Sequence, residues 1–277
     1  MRLRELSPSG VVGTGIVLGV VAIALFGPVF FSGSTEIVGR PFMMPTPGHP
    51  LGLDGYGRDV LTRLMNGGFT ILLLVTATTA LVYAVGAPVG LFTALHSRAL
   101  SASALWLFDC LLAFPPLLLV LLLAASTAGG VTAAVIAVAA SQVPWVTRLV
   151  RAAASEVATS GYVDAARLRG ESTWSIMWRE LLPNIRATML ADLGLRITVS
   201  ILLITSASFL GVGLRPPTAD WGLMAAENRN GLALQPWAVL APAAMIALLT
   251  VGVNLMFDAW PKTSGRRYGA ELPENEA

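Results

Sequence analysis

The sequence predicts an all-α polytopic membrane protein with six transmembrane helices, and three observations carry that expectation. Hydrophobic residues make up 55% of the 277-residue chain and charged residues only 12%, against about 25% charged in an ordinary soluble domain. Mean hydropathy is +0.71. The apolar residues also fall into blocks near the ~20 residues that a helix needs to cross the hydrocarbon core.

Residues 1–9 carry Arg2 and Arg4 and form a short polar lead. The first span, 10–31, exceeds the roughly 7–15 apolar residues of a cleaved signal peptide. It ends in Pro28-Val29-Phe30-Phe31 rather than a small-residue cleavage site, so it reads as retained. Residues 32–68 are a loop rich in proline and glycine, in which Asp59 is placed to cap a short helix carrying Val60, Leu61, Leu64 and Met65. The core, 69–258, begins with a second span over Phe69–Leu95, a third over Ala104–Ala125 and a fourth from Val131 to about Val150. Gln142 and Pro144 make the fourth short, so its lower end is expected to leave the bilayer as helix. Residues 151–188 are the most charged loop. A fifth span over Met189–Leu210, a loop at 211–235, a sixth span over Pro236–Phe257 and a polar tail, 259–277, complete the chain.

Orientation is expected from the cations. With the N-terminus inside, the inner segments collect Arg2, Arg4, Arg98, Arg148, Arg151, Arg167, Arg169, Arg179, Arg186, Lys262, Arg266 and Arg267. The outer segments collect Arg40, Arg58, Arg63, Arg215 and Arg229, and Arg196 lies within the fifth span. The positive-inside rule then places both termini and loop 151–188 in the cytoplasm.

That loop holds the most informative stretch, Ser160 to Asn184. Tyr162–Arg169 reads as helix, and Gly170 interrupts it because glycine is a poor helix interior and a good terminator. A second helix is expected from Ser172 or Thr173, ending near Pro183. At 3.6 residues per turn, Trp174, Met177, Trp178 and Leu181 share one face, with Arg179 and Glu180 on its flanks and Ile176 away from it. One face can rest on the protein's own bundle while another meets a soluble partner.

Asp164-Ala165-Ala166, Gly170 and Leu182-Pro183 have the spacing of the cytoplasmic coupling loop in permeases of ATP-binding-cassette (ABC) importers, and the chain resembles that family. It departs from the motif in having Asp164 where glutamate is usual and Glu180 at a commonly apolar position. Two further strings resemble the dipeptide/oligopeptide/nickel branch, specifically its second-permease, C-type subunit. One runs from His49 to Asp59 and on to Arg63 and Gly67; the other is Ser208 to Gly222, with Gly211, Gly213, Pro216, Pro217, Trp221 and Gly222. The stretch Asp109-Cys110-Leu111-Leu112-Ala113-Phe114-Pro115-Pro116-Leu117 resembles the family as well.

The resemblance implies a type I ABC importer permease fold with a cytoplasmic coupling helix. It implies an ATPase-coupling set of Tyr162, Asp164, Ala165, Ala166, Gly170, Trp174, Trp178, Glu180, Leu182 and Pro183. The 208–222 string is expected to face an extracytoplasmic binding protein and to help close an outer gate. Expected partners are a homologous permease in a heterodimer, two ATP-binding subunits, the binding protein and membrane lipid, with no nucleic acid. The expected location is a bacterial inner membrane and the expected cargo is di- or oligopeptides. Nickel complexes or other small solutes are the alternative cargo.

The residues themselves bound the chemistry. No GxxxxGK[ST] phosphate cradle is present, so ATP and magnesium are expected on partner subunits, with no cofactor on this chain and no enzymatic role. No span carries a Ser–His nucleophile pair or a paired-carboxylate centre, which weighs against an intramembrane enzyme. A stand-alone secondary transporter would show an ion relay or internal repeats. The intramembrane polar residues are few: Asp109, Arg196 and Asn254, with Asp192 one turn from Arg196 and able to pair with it. A metal site from His49, Asp54 and Asp59 is conceivable, but a structural loop is the better reading. Cys110 reads as a small buried hydrophobe, and Trp221 with Trp237 as a membrane-interface belt.

Overall fold

The computed structural model describes residues 8–96, 105–106, 108–126 and 130–259. Arg2, Arg4, Arg98, Lys262, Arg266, Arg267 and most of the tail lie outside them. Among the described residues the structure is helical, apart from isolated bridges such as Ile37–Arg58 and Leu53–Asp59 in the first long loop. The helices are α1 (Pro8–Phe30), α2 (Val60–Leu95), α3 (Pro116–Ser126), α4 (Val131–Val157), α5 (Gly161–Leu168), α6 (Thr173–Phe209), α7 (Trp221–Asn228) and α8 (Trp237–Asp258). Five of them, α1, α2, α4, α6 and α8, are long and apolar enough to cross a membrane.

Three expectations about these elements are corrected. Asp59 does cap a helix, its Oδ1 accepting from the Thr62 amide at 2.7 Å. That helix is not a separate short one, because it runs without a break into the second span as the 36-residue α2. The third predicted span is interrupted. Residues 105–106 and 108–112 are helical, but 113–115 are not, and α3 starts at Pro116. Pro115 and Pro116 donate no amide, and a proline also pushes Phe114 out of the α region.

The third correction concerns Pro183, which does not end a helix. The chain passes through a π turn at Ile176–Leu181, where the Leu182 amide bonds to the Met177 carbonyl, and continues as α-helix to Phe209. The proline cannot bond to the carbonyl four residues back, and its ring crowds that group. A wide turn placed just before it lets the helix continue.

The chain forms two compact units. One comprises 1–72, 193–201 and 216–277. In it α1 packs along α8, through glycine contacts. A Cβ on Gly13 would lie 2.6 Å from Leu255 Cβ, and one on Gly252 2.9 Å from Ile16 Cγ2. Small residues that let backbones approach are how helices associate in lipid, where apolar burial gives no drive. Asn254 of α8 accepts from the Thr198 hydroxyl at 3.0 Å, and Arg196 is buried.

The other unit comprises 73–192 and 202–215. Its core draws Val82, Ala87 and Leu91 from α2, and Ala139, Val146, Val150 and Ala154 from α4. Ala158 just before α5, Val163 and Ala166 of α5, and Ile176, Met177, Leu181 and Ile185 of α6 also belong to it. The Tyr83 hydroxyl donates to Asp192 Oδ2 at 2.9 Å. Cys110 is exposed, contrary to expectation; a thiol is apolar enough to face lipid at little cost.

Candidate functional site

The 160–183 segment forms a knuckle with a buried and an exposed side. In α5, Val163 and Ala166 lie three apart and face the core, which leaves Tyr162, Asp164, Ala165, Arg167 and Leu168 outside. The helix ends in a Schellman arrangement: the Glu171 amide bonds to the Ala166 carbonyl at 3.2 Å, and the Gly170 amide to Arg167 at 2.9 Å. This geometry places Gly170 at φ 75°, a left-handed conformation that glycine adopts without the Cβ clash. Ser172 then caps α6, its hydroxyl accepting from the Ser175 amide at 3.2 Å.

The expected apolar stripe on α6 is divided by the π turn. Met177 and Leu181 are buried, but so is Ile176, while Trp174 and Trp178 stand out at 64% and 37% exposure. A π turn carries more residues per turn than the 3.6 assumed, so residues spaced for one face rotate onto two. The two indoles lie 5.3 Å apart at 58°, within the range of favourable tilted ring pairs. On α5, Tyr162 and Leu168 are also exposed, Leu168 at 90%.

Charges on the knuckle pair with one another. Arg167 reaches Asp164 at 3.2 Å, and Arg169 reaches Glu171 at 2.6 Å. The bond from Arg169, helped by one from the Ser175 hydroxyl, holds the Glu171 carboxyl below its ordinary range. Glu180 is half-buried and its carbonyl accepts from the Asn184 amide group at 2.6 Å. Leu182 is half-buried and Pro183 exposed. Ala166 alone of the expected coupling set is fully buried and serves packing.

A second cluster, in the other unit, was missed by sequence reasoning. Asp54 Oδ2 accepts from Arg58 Nε and from Arg63 Nη1, each at 2.8 Å. Glu227 of α7 accepts from the same two arginines at 2.8 and 2.6 Å. All four side chains are at most 6% exposed. Asp54 Oδ1 also takes the amides of Tyr56 and Arg58, and Asn228 Oδ1 takes the Gly55 amide at 2.7 Å. The 32–59 loop is thereby fastened to α7. The available signal was two arginines and an aspartate in a ten-residue window, but their partner lies 164 residues beyond Arg63.

Asp54 is engaged by arginines while His49 Nδ1 lies 2.6 Å from Asp59 Oδ2, so the three do not converge. Among the described residues there is no group of three metal-binding side chains. Trp221 is not an interface residue: it is fully buried, its Nε1 donating to the Leu64 carbonyl at 2.8 Å. Trp237 is exposed, as an interface residue would be. Gly213 and Gly222 are buried, while Gly211, Pro216 and Pro217 are exposed. Asp109 pairs with Arg148 of α4.

Residues 86–266 match the family described as binding-protein-dependent transport system inner membrane component. The chain belongs to that family. It is the permease subunit of an ABC importer and a multi-pass membrane protein. The permease is 32% identical over 254 residues to the "Di/tripeptide transport system permease protein DppC" of Pseudomonas aeruginosa, covering 89% of this chain and 84% of that one. It is 30% identical over 252 residues to the "Dipeptide transport system permease protein DppC" of Alkalihalophilus pseudofirmus, covering 90% and 82%. It is 30% identical to the "Glutathione transport system permease protein GsiD" of Pectobacterium atrosepticum, covering 77% and 71%. A solved structure of the "MetNI methionine ABC transporter" shares the fold, with a TM-score of 0.56, 16% identity, and coverage of 72% of this chain and 96% of the other.

Proposed function

We propose that this permease moves di- or oligopeptides from an extracytoplasmic binding protein to the cytoplasm, in a heterodimer with a homologous permease. Two ATP-binding subunits hold ATP and magnesium and supply the work. The cargo reading is supported by relatives named for dipeptide, di/tripeptide and glutathione transport. The twelve-to-five distribution of cations supports an inner membrane location with both termini and the knuckle in the cytoplasm.

The observation that carries the coupling role is the exposed Trp174–Trp178 pair on a knuckle whose other side is fixed in the core. Exposed apolar surface rimmed by charge marks a protein interaction site, and aromatic residues are its strongest anchors. When the ATPases close, they press on Trp174 and Trp178. Because α6 is continuous from Thr173 to Phe209, the displacement passes the π turn into the span and shifts it between inward- and outward-facing packings. Asp164 and Arg167 orient α5, and Gly170 sets the angle between α5 and α6.

On the outer side, exposed Gly211, Pro216 and Pro217 meet the binding protein, while buried Gly213, Trp221 and Gly222 hold that surface in shape. Arg196 and Asn254 are structural polar residues within the bundle.

The test is Trp174→Ala/Trp178→Ala in the assembled transporter. Expected are loss of ATPase co-purification and of labelled-dipeptide uptake, with an unchanged melting temperature. Wild-type levels of both readouts would remove the coupling assignment. Uptake of a nickel complex but of no dipeptide would remove the cargo assignment and leave coupling intact.

A further inference from the structure

We propose that the cleft between α4 and the helical residues around Leu105 and Asp109 binds a singly charged phosphate group, supplied by an anionic phospholipid. The cleft has a volume of about 400 Å³ and is lined by Leu105, Asp109, Arg148, Arg151, Ala152 and Ser155. Arg148, Arg151 and Ser155 recur at intervals of three and four along α4, so they share one face of it. Arg148 is paired with Asp109, and both side chains are about half exposed. Arg151 has no charged or hydrogen-bonded partner among the described residues.

The charges set the ligand. Two guanidinium groups against one carboxylate leave the cleft a single net positive charge, which a phosphodiester monoanion balances and a dianion would overshoot. Arg151 offers a planar fork suited to two phosphate oxygens, and Ser155 adds a hydroxyl donor one turn further on. Asp109 is held by Arg148, which keeps its charge off the ligand.

The surroundings favour a lipid over a free ion. Trp106 lies one turn before Asp109, and Trp145 one turn before Arg148; both indoles are exposed. Tryptophans of this kind sit at the headgroup level of a bilayer, and basic pockets between membrane helices take anionic headgroups there. This inference rests on the membrane reading alone and is independent of cargo and coupling.

The experiment places the assembled transporter in phosphatidylcholine nanodiscs containing a minority of phosphatidylglycerol. Retained lipid is counted by native mass spectrometry for wild type, Arg151→Gln and Arg151→Lys. Expected is about a fivefold loss of phosphatidylglycerol retention in Arg151→Gln, the effect of one charge near the headgroups, with most of it kept in Arg151→Lys. Inorganic phosphate at millimolar concentration is expected to displace none. Displacement by inorganic phosphate that Arg151→Gln abolishes keeps the phosphate site and assigns it to free phosphate. Equal retention in wild type and Arg151→Gln overturns the proposal. So does displacement of the lipid by a dipeptide, which would assign the cleft to cargo.

Discussion

The two polar clusters of this permease treat the same residue types in opposite ways. In the clamp, Asp54, Arg58, Arg63 and Glu227 are buried together, and Trp221 lies beneath Leu64 with its indole nitrogen satisfied. In the knuckle, Asp164, Arg167, Arg169 and Glu171 pair in solvent, and Trp174 and Trp178 face outward. The clamp pairs its charges within its own unit, although Arg63 Nε and Glu227 Oε1 have no hydrogen-bond partner among the described residues. The knuckle packs only on its core side, and Trp174 and Trp178 stay exposed. Burial of the paired charges thus distinguishes the clamp from the knuckle, whose pairs are exposed.

The sharpest way to break this comparison is to remove one member of the clamp. Glu227→Ala leaves two buried guanidinium groups on a single carboxylate, a change that typically costs about 3–5 kcal/mol. Thermal unfolding of the purified protein should show a large drop in midpoint. An unchanged midpoint would mean that the clamp does not hold loop 32–59 in place.

Next in size is the buried side of the knuckle. Met177→Ala should cost about 2–5 kcal/mol, the usual range for emptying a core site. Trp174→Ala, three residues away, should leave stability within about 0.5 kcal/mol. The same thermal measurement checks both, and equal effects would erase the division between the two faces.

Gly170→Ala forces a Cβ into a left-handed position and should cost about 1 kcal/mol. A Cβ there meets nothing within 4 Å, so the effect comes from the backbone alone. Hydrogen exchange of the Gly170 and Glu171 amides should quicken, with the core of the unit unaffected.

The smallest effect is electrostatic. Hydrogen bonding by Arg169 holds the Glu171 carboxyl low, so its contribution is complete above the ordinary carboxylate pKa. The contribution is lost as pH falls through the lowered folded value. Glu171→Gln should therefore be slightly less stable than wild type at neutral pH, and the difference should vanish in acid. A difference that grew in acid would contradict the pairing. High salt should shrink it, because the pair is exposed.

Much of the architecture was legible in the sequence because lipid imposes a simple rule: long apolar runs must be helices that satisfy their own backbone. The first, second, fourth, fifth and sixth spans followed from that rule, as did the break at Gly170, since few residues but glycine tolerate φ 75°. The Asp59 cap was legible too, because a cap is local. The π turn was not. Nothing in Ile176–Leu181 announces it, and it arises where a helix must both pass Pro183 and seat Ile176, Met177 and Leu181 in one core.

By itself, then, the sequence determined that this is a helical membrane protein and where five of its long apolar helices lie. Hydrophobic length and backbone preference act over a few turns and can be read in line. Only the tertiary structure decided which tryptophans face out, that Trp221 is buried, and that Glu227 closes the charge set begun by Asp54, Arg58 and Arg63. Those outcomes depend on pairings between distant segments, where the cost of burying a charge or an indole nitrogen is met by a partner that no local pattern names.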